Sequence, residues 1–268
     1  MEPEPTVTDQ FVQSLARGLR VITAFDSEHP EMRLTEVATR TGLSRATARR
    51  FLGTLVELGY VRTDGRLFAL TPQVLSLGTA YLSGLGLPQI AQPHLEKLSA
   101  ELAESTSAAV LDGDEIVYIA RVATRRIMSV GITIGTRFPA YATSMGRVLL
   151  ASLDADEFES YVESAEFLPL TPRTVHSKDG IRREVELVRS QGWALVDQEL
   201  EIGLRSLAVP IRGARGDVRA AVNVSAAMTF DDAADLVSVA LPALRLTSDR
   251  ITKDLQAVNG PSGIPSQT

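Results

Sequence analysis

The residues best able to do chemistry in this 268-residue chain are crowded into one short run, Ser44-Arg-Ala-Thr-Ala-Arg-Arg50. Wound as a helix that continues to Leu58, the segment sets Ala48, Phe51, Leu52, Leu55 and Leu58 along one apolar stripe and leaves Arg45, Thr47, Arg49 and Arg50 outside it. That arrangement suits a polyanion, because arginine pairs bidentately with guanine edges and with phosphate. Arg45, Thr47 and Arg49 are expected nearest the base edges of a DNA major groove, with Ser44, Arg50 and the downstream Arg66 on phosphates. Charge supports the placement: the chain carries a net −6, yet residues 33 to 66 hold seven arginines against three acids, Glu36, Glu57 and Asp64. Only one face of a protein meets the phosphate backbone, so a small basic segment on an acidic body is what a DNA reader needs. The competing reading is a protein-interaction helix with a solvated basic face.

Catalytic and metal chemistry find less support. With no cysteine, disulfides, thiolate zinc sites, iron–sulfur clusters and thiol nucleophiles are excluded. His29, His94 and His176 lack any spacing that would put two imidazoles on one face, so neither a metal nor a cofactor is expected. Ser144 or Ser206 with His176 and Asp197 would supply a serine hydrolase, but no Gly-x-Ser-x-Gly elbow frames a serine, and His176 lies in the polar run Thr171-Pro-Arg-Thr-Val-His-Ser-Lys178. No catalytic residue is assigned and no enzyme is expected. No apolar run approaches the roughly 18–20 residues needed to span a bilayer. The acidic start, Met1-Glu-Pro-Glu-Pro5, is unlike a signal peptide, so a cytoplasmic protein without membrane contact is expected.

The basic helix must be held by neighbours. Phe11, Leu15, Leu19 and Ile22 recur at helical spacing and predict a first helix ending near Phe25, whose hydrophobic side could serve as a dimer surface. After a polar break at residues 26–30, Leu34 to Thr41 reads as a second helix with Leu34, Val37 and Ala38 inward, stopped by Gly42. Gly42-Leu-Ser44 then forms a tight turn in which Ser44 caps the basic helix. Gly59 ends that helix, and Tyr60 to Leu70 reads as two strands around Asp64-Gly65, a wing. Residues 11–71 are thus predicted to be a winged helix-turn-helix.

Residues 72–90 are read as a linker helix, interrupted at Gly84, Gly86 and Pro88, with helix resuming from Leu87 to about Glu104. Over residues 91–257 the pattern changes to short strands at 107–111, 115–122, 127–130, 193–197, 205–212 and 219–225. Helices are expected at about 144–153, 154–164, 179–191 and 231–257, the last kinked or split at Pro242. The fold class is α+β with a mainly antiparallel sheet. Residues 1–10 and 258–268 carry no hydrophobic face and are expected to fray.

Ser14-Leu-Ala-Arg-Gly-Leu-Arg-Val21 and Thr41-Gly-Leu-Ser-Arg-Ala-Thr-Ala-Arg-Arg-Phe-Leu52 resemble the IclR family of bacterial regulators. So do Pro139-Ala-Tyr-Ala-Thr-Ser-Met-Gly-Arg-Val-Leu-Leu-Ala151 and Gly192 to Pro210, nearest the branch of protocatechuate and 4-hydroxybenzoate regulators of the β-ketoadipate pathway. The resemblance implies a GAF-like effector domain, homodimers that pair into tetramers, double-stranded operator DNA as partner, and a pocket for a small organic acid. It places Thr143, Ser144 and Met145 at a helix start beside that pocket, where backbone N–H groups could receive a carboxylate. Ser206, Asn223 and Ser225 are similar to pocket positions, with Met128 and Leu204 as an apolar wall. Where a family member has an acid this chain has Val196, and alternation along the strand turns the adjacent Asp197 to the other face. A DNA-binding regulator tuned by an aromatic or β-ketoadipate pathway acid is therefore expected; the alternatives are a ligand-sensing scaffold without DNA binding and the serine hydrolase.

Overall fold

The structure, a computed structural model, describes residues 11–26, 28–77, 86–124, 132–213, 215–227 and 233–259. It divides into two compact units, Met1–Gly84 and Leu85–Thr268. The expected strand at 127–130, Met128, the middle of the expected linker (78–85), residues 1–10 and residues 260–268 lie outside the described residues, while 258 and 259, expected to fray, continue the last helix.

The first unit is α1 (Gln13–Thr23), β1 (Glu31–Arg33), α2 (Leu34–Thr41), α3 (Arg45–Glu57), β2 (Val61–Thr63) and β3 (Leu67–Leu70). The strands form an antiparallel sheet in the order β1-β3-β2. Three residues are too few to show a period, so β1 is not legible as a strand; pairing of Met32 with Phe68 nevertheless buries Met32 in the core with Val21, Val37, Leu52 and Val61. Gly42 closes α2 in the left-handed conformation at φ 66°, which glycine adopts without a Cβ penalty. The periodic stripe on α1 is not the core face. Phe11, Leu15 and Leu19 are 56%, 63% and 50% exposed, and Val21 is the buried residue of the helix.

The second unit begins with α4 (Leu87–Leu102), followed by β4 (Ser105–Asp112), β5 (Glu115–Val122), β6 (Arg137–Pro139) and α5 (Ser144–Leu150). Then come α6 (Ala155–Ser164), α7 (Lys178–Gln191), β7 (Ala194–Asp197), β8 (Leu204–Arg212), β9 (Val218–Ala227) and α8 (Ala233–Asn259). Six antiparallel strands lie in the order β6-β5-β4-β9-β8-β7. α4 and α8 cover one face through Leu95, Leu98, Leu236 and Leu244, packed on Val222, Val224 and Leu207. α5, α6 and α7 cover the other through Met145, Val148, Phe158 and Val185, packed on Ala109, Ala208 and Ala221. α8 runs unbroken through Pro242, so it is not split there. Anchoring on both sides of the proline, by Leu236 and Ala240 before it and Leu244, Ile251 and Leu255 after it, offsets the one lost backbone bond.

Register decides which side chains meet on the α5 face. β4 and β9 pair Ser107 with Asn223 and Ala109 with Ala221. Across β5 a bulge separates Ala108/Ala120 from Ala109/Tyr118. The extra residue shifts parity, so Tyr118 and Arg121, three positions apart, both stand on the α5 face.

Candidate nucleic-acid interface and ligand pocket

Ser44 caps α3: its Oγ accepts the Thr47 N–H at 3.2 Å and lies 2.8 Å from Thr47 Oγ1. The cap orients the first turn of the helix. Ser44, Arg45, Arg49 and Arg50 are exposed, while Thr47 is half-buried. In the wing, Asp64 Oδ1 accepts the N–H groups of Leu67 and Arg66 at 2.7 and 2.8 Å, which leaves Arg66 exposed at the tip. Those bonds, Leu67's first, hold the Asp64 carboxyl below its usual range, so the turn stays anchored by a carboxylate.

The pairing of arginines separates two groups. Arg40 is tied to Asp26 at 2.6 Å and Arg62 to Glu31 at 2.7 Å. Among the described residues, Arg45, Arg49, Arg50 and Arg66 meet no acid within ion-pair distance. The pairing of Arg40 with Asp26 and of Arg62 with Glu31 was not readable from spacing, since these partners lie 14 and 31 positions apart.

In the second unit a small pocket sits on the α5 face of the sheet. Ser206 of β8 pairs with both Val196 of β7 and Ser225 of β9, which sets these three side chains abreast. Asn223 and Ser225, two apart on β9, are joined by the Asn223 Nδ2 to Ser225 Oγ bond at 3.0 Å. Thr143, Leu200, Leu204, Tyr118 and Ile132 close the space. Of the expected pocket residues, Thr143, Leu204, Ser206, Asn223 and Ser225 come together. Ser144 is buried beside them, and Met145 packs into the α5–α6–α7 core rather than lining the space.

The polar inventory of the pocket is incomplete. Asn223 Oδ1 and Ser144 Oγ are buried without a hydrogen-bond partner, a state that costs about 1–3 kcal/mol per group until something fills it. Burial pushes the Tyr118 phenol up to about 12, so it stays protonated at neutral pH. The free space is only about 10 Å³, at most what a single water molecule needs, about 10–15 Å³. A ring enters only when the walls part.

Two residues unremarked in the sequence shape this site. Gly146 lies so close to Ala140 that a Cβ would overlap the Ala140 backbone, which is why α5 can start tight against the turn at Ala140–Ala142. Arg147, 1% exposed, donates to the Tyr141 carbonyl at 3.0 Å and reaches Glu199 at 2.7 Å and Glu184 at 3.1 Å. Glu199 also accepts the Val175 N–H at 2.8 Å, so one cation ties α5 to two loops. An arginine in an apolar helix gives no sign of its partners, which lie 37 and 52 positions away.

A roomier cleft of about 400 Å³ lies between α5, α7 and the β8–β9 turn, but its arginines are engaged: Arg189 bonds the Ala151 and Leu153 carbonyls, and Arg212 that of Gly216. It has no inward orphan polar atom among the described residues. The small pocket is the better ligand site. Catalysis finds no geometry either. His176 Nδ1 contacts the Thr174 carbonyl, and Asp197 pairs with Arg173 and Arg205, each at 2.7 Å, on the face opposite the pocket. Among the described residues no helix is long and apolar enough to cross a membrane, and no group of three or more His, Asp or Glu could hold a metal.

Comparison with known proteins agrees with this division. Residues 14–65 match the IclR helix-turn-helix domain and residues 79–253 the bacterial transcriptional regulator IclR C-terminal model. The chain is 49% identical over 216 residues to the Pca regulon regulatory protein of Pseudomonas putida, covering 80% of this chain and 74% of that one. A crystal structure of a transcriptional regulator from Rhodococcus sp. RHA1 superposes with a TM-score of 0.83 at 55% identity, covering 93% of this chain and 100% of that one. An IclR homolog from Microbacterium hydrocarbonoxydans, crystallised with 4-hydroxybenzoate, gives 0.82 at 25% identity over 91% of this chain and 99% of its own.

Proposed function

Since the chain belongs to the IclR family of bacterial transcriptional regulators, we propose that its first unit reads operator DNA while a small aromatic acid in the pocket of the second adjusts that reading. The observation that carries it is the sorting of arginines: Arg40 and Arg62 are neutralised by acids, whereas Arg45, Arg49, Arg50 and Arg66 are left to solvent on α3 and the wing. Leaving like charges unpaired on one face is repulsive unless a polyanion takes them up. Arg45, Thr47 and Arg49 go to base edges, and Ser44, Arg50 and Arg66 to phosphates. Residues 11–71 act as the reader, 72–90 as the linker and 91–257 as the sensor, in the cytoplasm where the DNA lies.

The mixed lining favours a ring with polar substituents: Leu204 and Ile132 offer apolar contact, and Asn223, Ser206 and Ser225 hydrogen bonds. The relative holding 4-hydroxybenzoate supports the same ligand class. Because the pocket is nearly closed, ligand and empty states must differ in wall position, which is the differential affinity that coupling requires; coupling of 1–3 kcal/mol gives about 5–150-fold regulation. The exposed Phe11, Leu15 and Leu19 of the first unit support a homodimer, which would present two readers to half-sites about 34 Å apart.

The test is a fluorescence-anisotropy titration of duplex DNA from the promoter region of the protein's own gene, at several salt concentrations and with or without 4-hydroxybenzoate. Log affinity is expected to fall linearly with log salt, by about 0.9 per phosphate contact, and to shift with the acid. Undetectable or salt-insensitive binding would favour a ligand-sensing scaffold.

A further inference from the structure

The helix α1 carries more than its exposed apolar stripe of Phe11, Leu15 and Leu19. Ser14, Arg17, Gly18 and Val21 recur at helical spacing along a different side. That side faces α3: Val21 is buried in the shared core, and a Cβ added at Gly18 would stand 3.8 Å from the Phe51 ring. Beside this crossing the two helices leave a cleft of about 270 Å³, lined by Ser14 and Arg17 of α1 and by Thr47, Arg50, Phe51 and Thr54 of α3.

The lining suits an anion. Two arginines and three hydroxyls surround the space, and no carboxylate is among them. Neither Arg17 nor Arg50 meets an acid within ion-pair distance among the described residues. Arg17 Nη2 donates to Gln13 Oε1 at 2.8 Å, which leaves its other N–H groups to spare. Like charges facing one space repel until a counter-charge enters. The cleft holds several times a water molecule's ~30 Å³ share of the liquid, so a phosphodiester group fits without repacking. Position identifies where that group would come from. Thr47 and Arg50 line the cleft and also belong to the α3 surface assigned to the operator, so an anion seated here is continuous with a duplex lying against α3.

Resting on the DNA-reading assignment above, we propose that α1 is a further DNA-contacting element, and that the cleft between Ser14, Arg17 and Arg50 clasps one phosphodiester of the operator backbone beside the groove that α3 enters. Arg17 is the cation that α1 supplies. The contact fixes register and adds affinity without reading sequence, and the stripe of Phe11, Leu15 and Leu19 stays free for a second copy.

Fluorescence anisotropy on the full chain tests this, with a duplex from the promoter region of its own gene and a scrambled duplex of equal length, each over a series of KCl concentrations. Arg17→Gln keeps a donor but loses the charge. It should reduce the slope of log affinity against log salt by about 0.9, one phosphate, and weaken both duplexes alike by about fivefold near physiological salt. Arg17→Lys should keep most of the slope. Arg20→Gln removes an exposed cation of the same helix that does not line the cleft, and should change the slope far less. Thr54→Glu puts a carboxylate into the cleft from an exposed helix position and should cost at least as much as Arg17→Gln, with Thr54→Gln near wild type; this pair decides the matter if Arg17→Gln does not fold. A folded Arg17→Gln with the wild-type slope, an equal loss in Arg20→Gln, or equal affinities for Thr54→Glu and Thr54→Gln would each overturn the assignment while α3 remains the reader. If the wild type binds neither duplex, the DNA-reading assignment fails and takes this one with it.

Discussion

The two units treat charge and polarity in opposite ways. In the first, arginines of α3 and the wing stand in solvent without acids, around a core built of Val21, Val37, Leu52 and Val61. In the second, Arg147 is 1% exposed and bonded to two acids and a carbonyl, while buried side-chain atoms without hydrogen-bond partners include Asn223 Oδ1 and Ser144 Oγ. An outward, unneutralised cation fits a partner as large and as charged as a duplex. An inward orphan dipole fits only something small enough to be enclosed.

The contrast can be broken most severely at Arg147. Arg147→Met should destabilise the second unit by about 3–5 kcal/mol in urea denaturation, because it strands Glu199 without its counter-charge. A loss below about 1 kcal/mol would mean that the ion pair holds little. Next in size, Arg45→Ala and Arg49→Ala should each weaken operator binding by about 1–3 kcal/mol in gel shifts, with unfolding stability unchanged within about 0.5 kcal/mol. Unaltered operator affinity would remove those two side chains from the reading surface. Asn223→Leu should weaken effector binding by about 1–2 kcal/mol by calorimetry and leave DNA affinity without ligand as it was; a change in the latter would show that the pocket is coupled to the reader even when empty.

The smallest effect concerns pH. Burial pushes the Asp197 carboxyl up, but hydrogen bonds from Arg205 and Gln198 and the charges of Arg205 and Arg173 outweigh it and hold the group below its usual range. With the folded value below the unfolded ~3.9, its contribution is complete above that pH and is lost as pH falls through the folded value. Asp197→Asn should therefore flatten the acid limb of stability, by up to about 1 kcal/mol for so accessible a pair. An acid limb identical to the wild type would show the pairs to be inert.

Legibility differed between the units for reasons of scale. α2, the Gly42 turn, the Ser44 cap, α3 and the β2–β3 wing were readable because each is set by residues within a turn of one another. The stripe on α1 misleads if taken for core, since period reports which residues share a face and not what covers that face; here Phe11, Leu15 and Leu19 are exposed. In the second unit the alternation that turned Val196 inward and Asp197 outward was correct. The β5 bulge was invisible, because one extra residue in a run of apolar positions leaves no trace in spacing, and with it the facing of Arg121 was hidden.

Local order along the chain, then, determined the helices, the turns and the longer strands, though not the three-residue β1 and β6, together with the basic character of α3 and which residues of one strand share a side. Only tertiary structure decided which arginines are neutralised, which polar atoms are buried without partners, and that Ser206, Ser225 and Asn223 meet Thr143. The physical reason is distance: periodicity acts over a few residues, whereas Arg147 and Glu199, 52 positions apart, acquire their meaning only when packing brings them together in a place with no water to stand in for either.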